Sequence, residues 1–457
     1  MIRKMENEDE DKDTKEKRTR EKVIQEEAEH AFYDDEEVVE AVLRGVKVML
    51  GMDEEDEGEI LQTKIEGNAE VIKKKALWEE AIKKEIHSFE EKSALRLLTK
   101  QESDHLDRGV IPLPSKTFLP IKPDPACARG KRKCRIVACG NYETVETVED
   151  DSSCFAAGAD SAALRLALAL ATIRKWCGIN IDIRTAFLNA PWKLKYGGGE
   201  PLEETHEEEE TPPPMLLKPP SILVKLGFFT QGQLWEVLRA VYGFRRSPKL
   251  WKDYRDEELE GMRTEGMKLC QLESEPSTRA IRQEQSGQLE GLLLTYVDDI
   301  MVLASEEKAE AWVRCIQAKW ETSVPEKVGH RQTTRFLGME LSRDDSGIWY
   351  ATQTNYTVDM LQKNLGHEKE AWGLRKIPMS KEDGSLDSEG EDEADRSIEK
   401  VREAQRLVGE LTWLVTRCRP DLRYVLSRMS RWTTRRPAKV TEMAPQIWKY
   451  LAATREE

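Results

Sequence analysis

The sequence runs to 457 residues, 39% apolar, 34% charged and formally −15, which leaves room for two to four domains and a sizeable core in part of the chain. With 27 Gly, 19 Pro and 8 Cys, collagen-like, mucin-like and disulfide-scaffold designs are excluded, and no run reaches the roughly 18 uncharged apolar residues that span a bilayer. The charge is uneven: acids cluster over 1–70 (24 against 11 bases), 200–210 and 381–396, and the remainder is mildly basic, as suits a nucleic-acid partner.

The first 70 residues read as an acidic, largely disordered arm, with Val38 to Met52 as a short helix inside it. The start is charged from Arg3 onward and has no apolar h-region, so the chain is expected to be intracellular, with no membrane partner. Lys74 to Leu98 has helical apolar spacing, broken at Glu85. Ile111 to Pro125 is Pro-rich and extended, and Lys131 to Gly140 is a basic strand centred on Ile136 and Val137. Ser161 to Trp176 is an amphipathic helix. In Gly178 to Asn189, Ile179, Ile181 and Ile183 alternate on one strand face. Tyr196 to Pro214 is an exposed Gly- and Glu-rich loop, and 234–260 is mostly helical around a Gly and a Pro. Leu292 to Ala304 is an apolar hairpin interrupted by two acids. Phe336–Leu341 and Trp349–Thr352 are short strands, and a basic helical region runs from Ile398 to the end. There is no internal repeat. The class is α+β with antiparallel strands.

The eight cysteines form no CxxC pair, and no His lies at zinc-ligand spacing from one, so any metal must be held by carboxylates. The hairpin Tyr296-Val-Asp298-Asp299 puts two adjacent carboxylates at a tight turn between apolar strands. Turns take Asp for conformational reasons alone. Two in a row repel, however, unless a cation sits between them, and Mg²⁺ takes oxygen ligands while leaving positions for phosphates. Asp182, at the end of an alternating strand, is either a strand-end cap or a third carboxylate of a two-metal phosphoryl-transfer site.

At these residues the chain resembles the reverse transcriptases of copia-type LTR retrotransposons. Asp182-Ile-Arg-Thr-Ala-Phe-Leu-Asn189 is similar to that family's first catalytic motif and Tyr296-Val-Asp-Asp299 to its second. Tyr242-Gly-Phe-Arg-Arg-Ser-Pro248 with Trp251 resembles its YGLKQSP segment, Lys133-Cys-Arg-Ile-Val-Ala138 its basic fingers strand, and Phe336-Leu-Gly-Met-Glu-Leu341 its primer grip. Gln353-Thr-Asn-Tyr356, Val408-Gly409, Thr416-Arg-Cys-Arg-Pro-Asp421 and Ser427 follow in the family's order, so the resemblance covers roughly 76–455.

The resemblance implies a right-hand polymerase with fingers and an antiparallel-sheet palm over 76–345. A mainly helical thumb- or connection-like region follows over 346–457, interrupted by the acidic linker 381–396. It implies RNA-directed DNA synthesis on a primed RNA or DNA template, from deoxynucleoside triphosphates, with two Mg²⁺ ions for which Mn²⁺ can substitute. Asp182, Asp298 and Asp299 would bind the metals, and Ile183 would contribute backbone beside them. Phe187 stands where the family places a steric gate against the ribose 2′-hydroxyl, although plain core is its bland alternative. Arg135 would contact the triphosphate, Tyr242 and Gly243 would line the nucleotide pocket, and Phe336, Leu337 and Gly338 would form the primer grip. Other retrotransposon proteins are expected partners.

Departures from the family pattern are Arg245-Arg246 in place of Lys-Gln, the acidic stretch around 200–210, and no RNase H domain before Glu457. The rival readings are an RNA-dependent RNA polymerase, which usually has a polar residue in place of Phe187, and a catalytically inactive or host-adopted nucleic-acid-binding protein.

Overall fold

A computed structural model describes residues 63–106, 110–124, 127–143, 154, 156, 158–192, 214–329, 332–366, 372–381 and 397–455. The Val38–Met52 helix, most of the Tyr196–Pro214 loop and nearly all of the 381–396 linker lie outside these residues. Contacts divide the chain into two units, one of Met1–Glu149 with Pro191–Ser247, the other of Asp150–Ala190 with Pro248–Glu457. The helical C-terminal region therefore shares a unit with the sheet that precedes it.

The first unit is a set of small antiparallel sheets beside the helix Lys75–Glu91, whose inward face is Trp78, Ile82, Glu85 and Phe89. Lys64–Ile65, read as part of the arm, pairs with Pro120–Asp124. The helix expected through Leu98 ends at Glu91, because Ser93 takes a left-handed φ of 49° and Leu95–Leu97 then pairs with Trp235–Val237. That pairing also corrects the mostly helical reading of 234–260. Aromatic and β-branched residues open the segment as a strand, and the helix Ser247–Gly261 starts only after Gly243, with Pro248 in its first turn. The single strand expected over 131–140 is two, Cys127–Arg132 and Arg135–Ala138.

The second unit is built on a seven-stranded sheet in the order Arg263–Thr264, Met267–Leu272, Glu275–Gln283, Leu289–Tyr296, Asp299–Ala304, Cys177–Asp182, Glu326–Lys327, antiparallel throughout. Cys177–Asp182 is nearly covered on both faces, which explains an unbroken buried run where one-sided alternation was expected. The helix Ser161–Arg174 buries Leu164, Ala167, Leu168 and Ala171, at helical spacing, in the core that also takes Leu292, Leu294, Met301 and Leu303. The helix Glu306–Lys319 packs against Cys177–Asp182 and Asp299–Ala304.

The strand expected over Phe336–Leu341 is itself a hairpin, Thr334–Phe336 and Met339–Arg343. Its two-residue turn has positive φ at both Leu337 (53°) and Gly338 (72°), the I′ geometry whose twist matches the flanking strands. The helices Thr354–Leu365, Ile398–Val415, Arg423–Trp432 and Pro437–Ala453 bury one further core, with Leu361, Leu411, Met429 and Ile447 at its centre. A side-chain cap starts the second of these helices at Ser397, whose hydroxyl accepts from the Lys400 N–H. Among the described residues no helix is long and apolar enough to cross a membrane.

Candidate active site

The sheet register brings the carboxylates together. Asp299 opens its strand directly opposite both Tyr296 and Asp182, so the side chains of Asp182 and Asp299 leave the same face of neighbouring strands. Asp298 occupies the second position of the two-residue turn between Tyr296 and Asp299, and its carbonyl accepts from the Ile183 N–H at 2.8 Å. The far side of Asp182 is bracketed too. Its N–H donates to Ser323 Oγ at 3.0 Å and its carbonyl accepts from the Ser323 N–H at 2.8 Å. Asp182, Ile183, Asp298 and Asp299 therefore converge on one end of the sheet.

The electrostatics follow from that convergence. Burial, then the charges of Asp298, Asp182 and Glu326, push the Asp299 carboxyl up to about 7. Among the described residues no three His, Cys, Asp or Glu side chains already close into a metal cage. The donors that do meet are oxygens only, the set a hard divalent cation takes, and the repulsion that lifts Asp299 is what such a cation would relieve. The residues fit a carboxylate-held metal in chemistry and in charge.

Phe187 lies in the 3₁₀ turn Ala186–Asn189 of the same unit, half-buried between the buried Ala186 and Leu188. Thr185 enters this turn at φ 48°, and Asn189 Nδ2 faces the carbonyls of Arg184, Thr185 and Ala186 at 3.2–3.4 Å. Asn189 thus staples the loop that carries Phe187. The sequence showed Asn189 as the end of a motif without showing this role.

Arg135, Tyr242 and Gly243 belong to the other unit. Arg135 donates to the buried Glu85 at 2.9 Å, and Glu85 also accepts from the Ile136 N–H at 3.0 Å. The apparent break in the apolar helix pattern is therefore the anchor of the Arg135 strand, and burial holds the Glu85 carboxyl above its ordinary range. The Arg135 guanidinium lies 5.7 Å from the Tyr242 ring centroid. The Tyr242 carbonyl accepts from the Ala138 N–H at 2.7 Å. Gly243 has φ 97° and sits so close to the Arg135–Ala138 strand that a Cβ would collide with the Ala138 carbonyl and Val137. Backbone packing by itself requires glycine there.

Phe336 and Leu337 are buried core residues of the second unit, and Gly338 turns its backbone toward Trp413. The Arg417 guanidinium lies on the Trp413 ring at 3.3 Å and donates through Nε to the Leu337 carbonyl at 2.9 Å. In the sequence both fall within the basic helical region from Ile398, with Arg417 also in the Thr416–Asp421 motif. Their four-residue spacing was the available signal.

Comparison with known proteins gives the family. The family described as reverse transcriptase (RNA-dependent DNA polymerase) matches residues 105–372. A putative transposon Ty5-1 protein of Saccharomyces cerevisiae is 23% identical over 222 residues, covering 49% of this chain and 66% of that protein, a little under two thirds of its length. The telomerase of Candida albicans, solved with a TWJ fragment of telomeric RNA, aligns over 81% of this chain and 67% of its own at 11% identity. Its TM-score of 0.29 is too low to bear on the architecture.

Proposed function

The chain belongs to the reverse transcriptase (RNA-dependent DNA polymerase) family, of the copia-type retrotransposon kind its motifs resemble, and we propose from this that it copies RNA into DNA by extending a primer at the Asp182–Asp298–Asp299 sheet end. The observation that carries the reading is the register that sets Asp299 opposite Asp182 with the Asp298 turn beside them. Asp182, Asp298 and Asp299 would hold two Mg²⁺ ions, whose chemistry when bound is to neutralise phosphate oxygens and favour the ionised primer 3′-hydroxyl. The protein's own part is positional. The Ile183 N–H fixes the Asp298 backbone, Ser323 fixes Asp182, and Asn189 holds the loop that presents the half-buried Phe187 ring to a sugar.

In the other unit, Arg135, Tyr242 and Gly243 are assigned to the incoming nucleotide, with Arg135 keeping donors beyond the one it shares with Glu85. In the second unit, the 334–339 hairpin is assigned to the primer. Because Phe336 and Leu337 are buried, that contact falls to the turn backbone and to Trp413 and Arg417 on its surface. Of the arginines in the C-terminal region, the exposed Arg423, Arg431 and Arg435 would track phosphates. In domain terms, the seven-stranded sheet is assigned as palm and the C-terminal helices as thumb or connection, acting inside the cell.

The test is primer extension on an oligo(dT)-primed poly(rA) template with Mg²⁺, repeated with Mn²⁺. Extension with deoxynucleotides in preference to ribonucleotides is expected. No extension with either ion, while the primed template still binds, would leave a nucleic-acid-binding protein and remove the enzyme.

A further inference from the structure

The turn that carries Asp298 is strained where it need not be. Val297, first of the two turn residues, has φ 55°, a left-handed backbone that two-residue hairpins usually reserve for glycine and that a β-branched side chain resists. Its carbonyl receives two side-chain donors from the helix Ser247–Gly261, Trp251 Nε1 at 2.7 Å and Arg255 Nη1 at 3.0 Å. Both donors are interior groups, Trp251 at 1% and Arg255 at 2% relative exposure.

A buried arginine is a poor way to stabilise a fold, since a well-packed apolar residue of similar volume does as well or better. This one is maintained by a network. Asp256 Oδ1 accepts from Arg255 Nε and Nη2 at 3.2 and 2.9 Å and lies 2.8 Å from Arg279 Nη2, and Lys252 holds Asp256 Oδ2 at 2.9 Å. The network leaves Arg255 Nη1 pointing at one acceptor, the carbonyl of Val297. The next carbonyl along, that of Asp298, is taken by the Ile183 N–H. Consecutive peptide groups of the turn are thus held by two different elements, and the Asp298 backbone between them has little freedom.

We propose that Trp251 and Arg255 are positioning residues for the polymerase reaction, with Asp256 and Arg279 keeping Arg255 aimed, so that the strained Val297 turn presents Asp298 in one orientation. The inference rests on the reading of Asp298 as a metal-binding carboxylate. It assigns to the Ser247–Gly261 helix a role that packing alone does not require, since a leucine or phenylalanine would fill the place of Trp251 but could not donate.

The test uses the full chain with Trp251→Phe, Arg255→Met and Arg255→Lys, read in two independent ways. Steady-state extension on oligo(dT)-primed poly(rA) should show kcat lower by about tenfold for Trp251→Phe and about a hundredfold for Arg255→Met, the range expected for losing a neutral and a charge-assisted hydrogen bond. KM for dTTP and the affinity for primed template should stay near wild type, and Arg255→Lys, which retains charge and a donor, should recover part of the loss. Amide hydrogen exchange of the peptide spanning 292–304 should be faster in Trp251→Phe and Arg255→Met, whether or not the protein polymerises. If wild type does not extend primers, the polymerase reading fails, and exchange alone then decides the positioning role. Unchanged exchange, unchanged kcat, or a loss confined to KM each overturns it. Arg255→Lys provides the same readouts should Trp251→Phe not fold.

Discussion

Two hairpins of the second unit are built alike and differ in what covers them. Each has a two-residue turn, Val297-Asp298 in one and Leu337-Gly338 in the other, and each turn has a left-handed residue. Each is met by a Trp and an Arg four residues apart, Trp251 with Arg255 and Trp413 with Arg417, and in each the arginine donates to a turn carbonyl. At the first hairpin both partners are buried, Trp251 donates as well, and Arg255 is locked to Asp256. At the second, Trp413 is 39% exposed, and the half-buried Arg417 stacks on its ring. The difference is between a turn held from behind and a turn held from in front. A clamp on the hidden side grips the turn by its backbone carbonyl, whereas a clamp on the open side is itself the surface a ligand would meet.

The largest effect should follow from removing a carboxylate at the first turn. Asp298→Asn is expected to cost on the order of a thousandfold or more in extension, the scale of several kcal/mol of charge stabilisation, with primed-template binding nearly intact. Activity within about tenfold of wild type would remove Asp298 from the site. The second turn should fail differently. Gly338→Ala puts a Cβ on a backbone with φ 72°, 2.5 Å from Trp413 Cζ2, and is expected to destabilise the unit by about 2 kcal/mol through the left-handed cost and the displaced ring, read by thermal or denaturant unfolding. Trp413→Ala should weaken primed-template affinity by about tenfold, the value of one lost stacking platform, while kcat at saturating primer is retained. An unchanged affinity in anisotropy titrations would make the two clamps equivalent and erase the contrast.

Acidity should separate the hairpins as well. The Asp299 carboxyl titrates near 7 in the folded chain and near 3.8 when unfolded, so between those values the folded state holds the extra proton. Stability of the metal-free protein should therefore fall as pH rises from about 4 toward 7, and be lowest above that window. Asp299→Asn should flatten the slope in a Tm-against-pH series, and Mg²⁺ should oppose the fall above pH 7. A slope that survives Asp299→Asn would assign it to other groups, such as the buried Glu85 and Glu143, whose carboxyls burial also raises.

What the sequence disclosed of this arrangement follows a physical division. The Asp-Asp hairpin was legible because its strands are continuous apolar runs, and Asp182 was legible because Ile179 and Ile181 alternate up to it. The antiparallel pairing that joins them follows once both strands are in place. Leu337-Gly338 was misread as strand because one Gly between apolar residues gives no turn cluster, although the positive φ pair shows a hairpin. Glu85 was visible as a fault in a helical stripe, but its partners lie 50 and 51 residues away. The acceptor of Trp251 and Arg255 is a backbone carbonyl, and a carbonyl leaves no mark on the identity of the residue that owns it.

The smallest expected effect bears hardest on the comparison, because it asks whether Val297 is strained at all. Val297→Gly removes a β-branched side chain from a φ of 55°, which relieves about 1–2 kcal/mol, and adds about 0.5–1 kcal/mol of chain entropy to the unfolded state. Val297 is 40% exposed, so the packing it gives up is modest. The sum is a change between nothing and about 1 kcal/mol of added stability, opposite in sign to Gly338→Ala. Unfolding measurements on the two variants side by side provide the check. If Val297→Gly loses as much as Gly338→Ala, the backbone at 297 is comfortable with valine, and the two buried donors have no strained turn to hold.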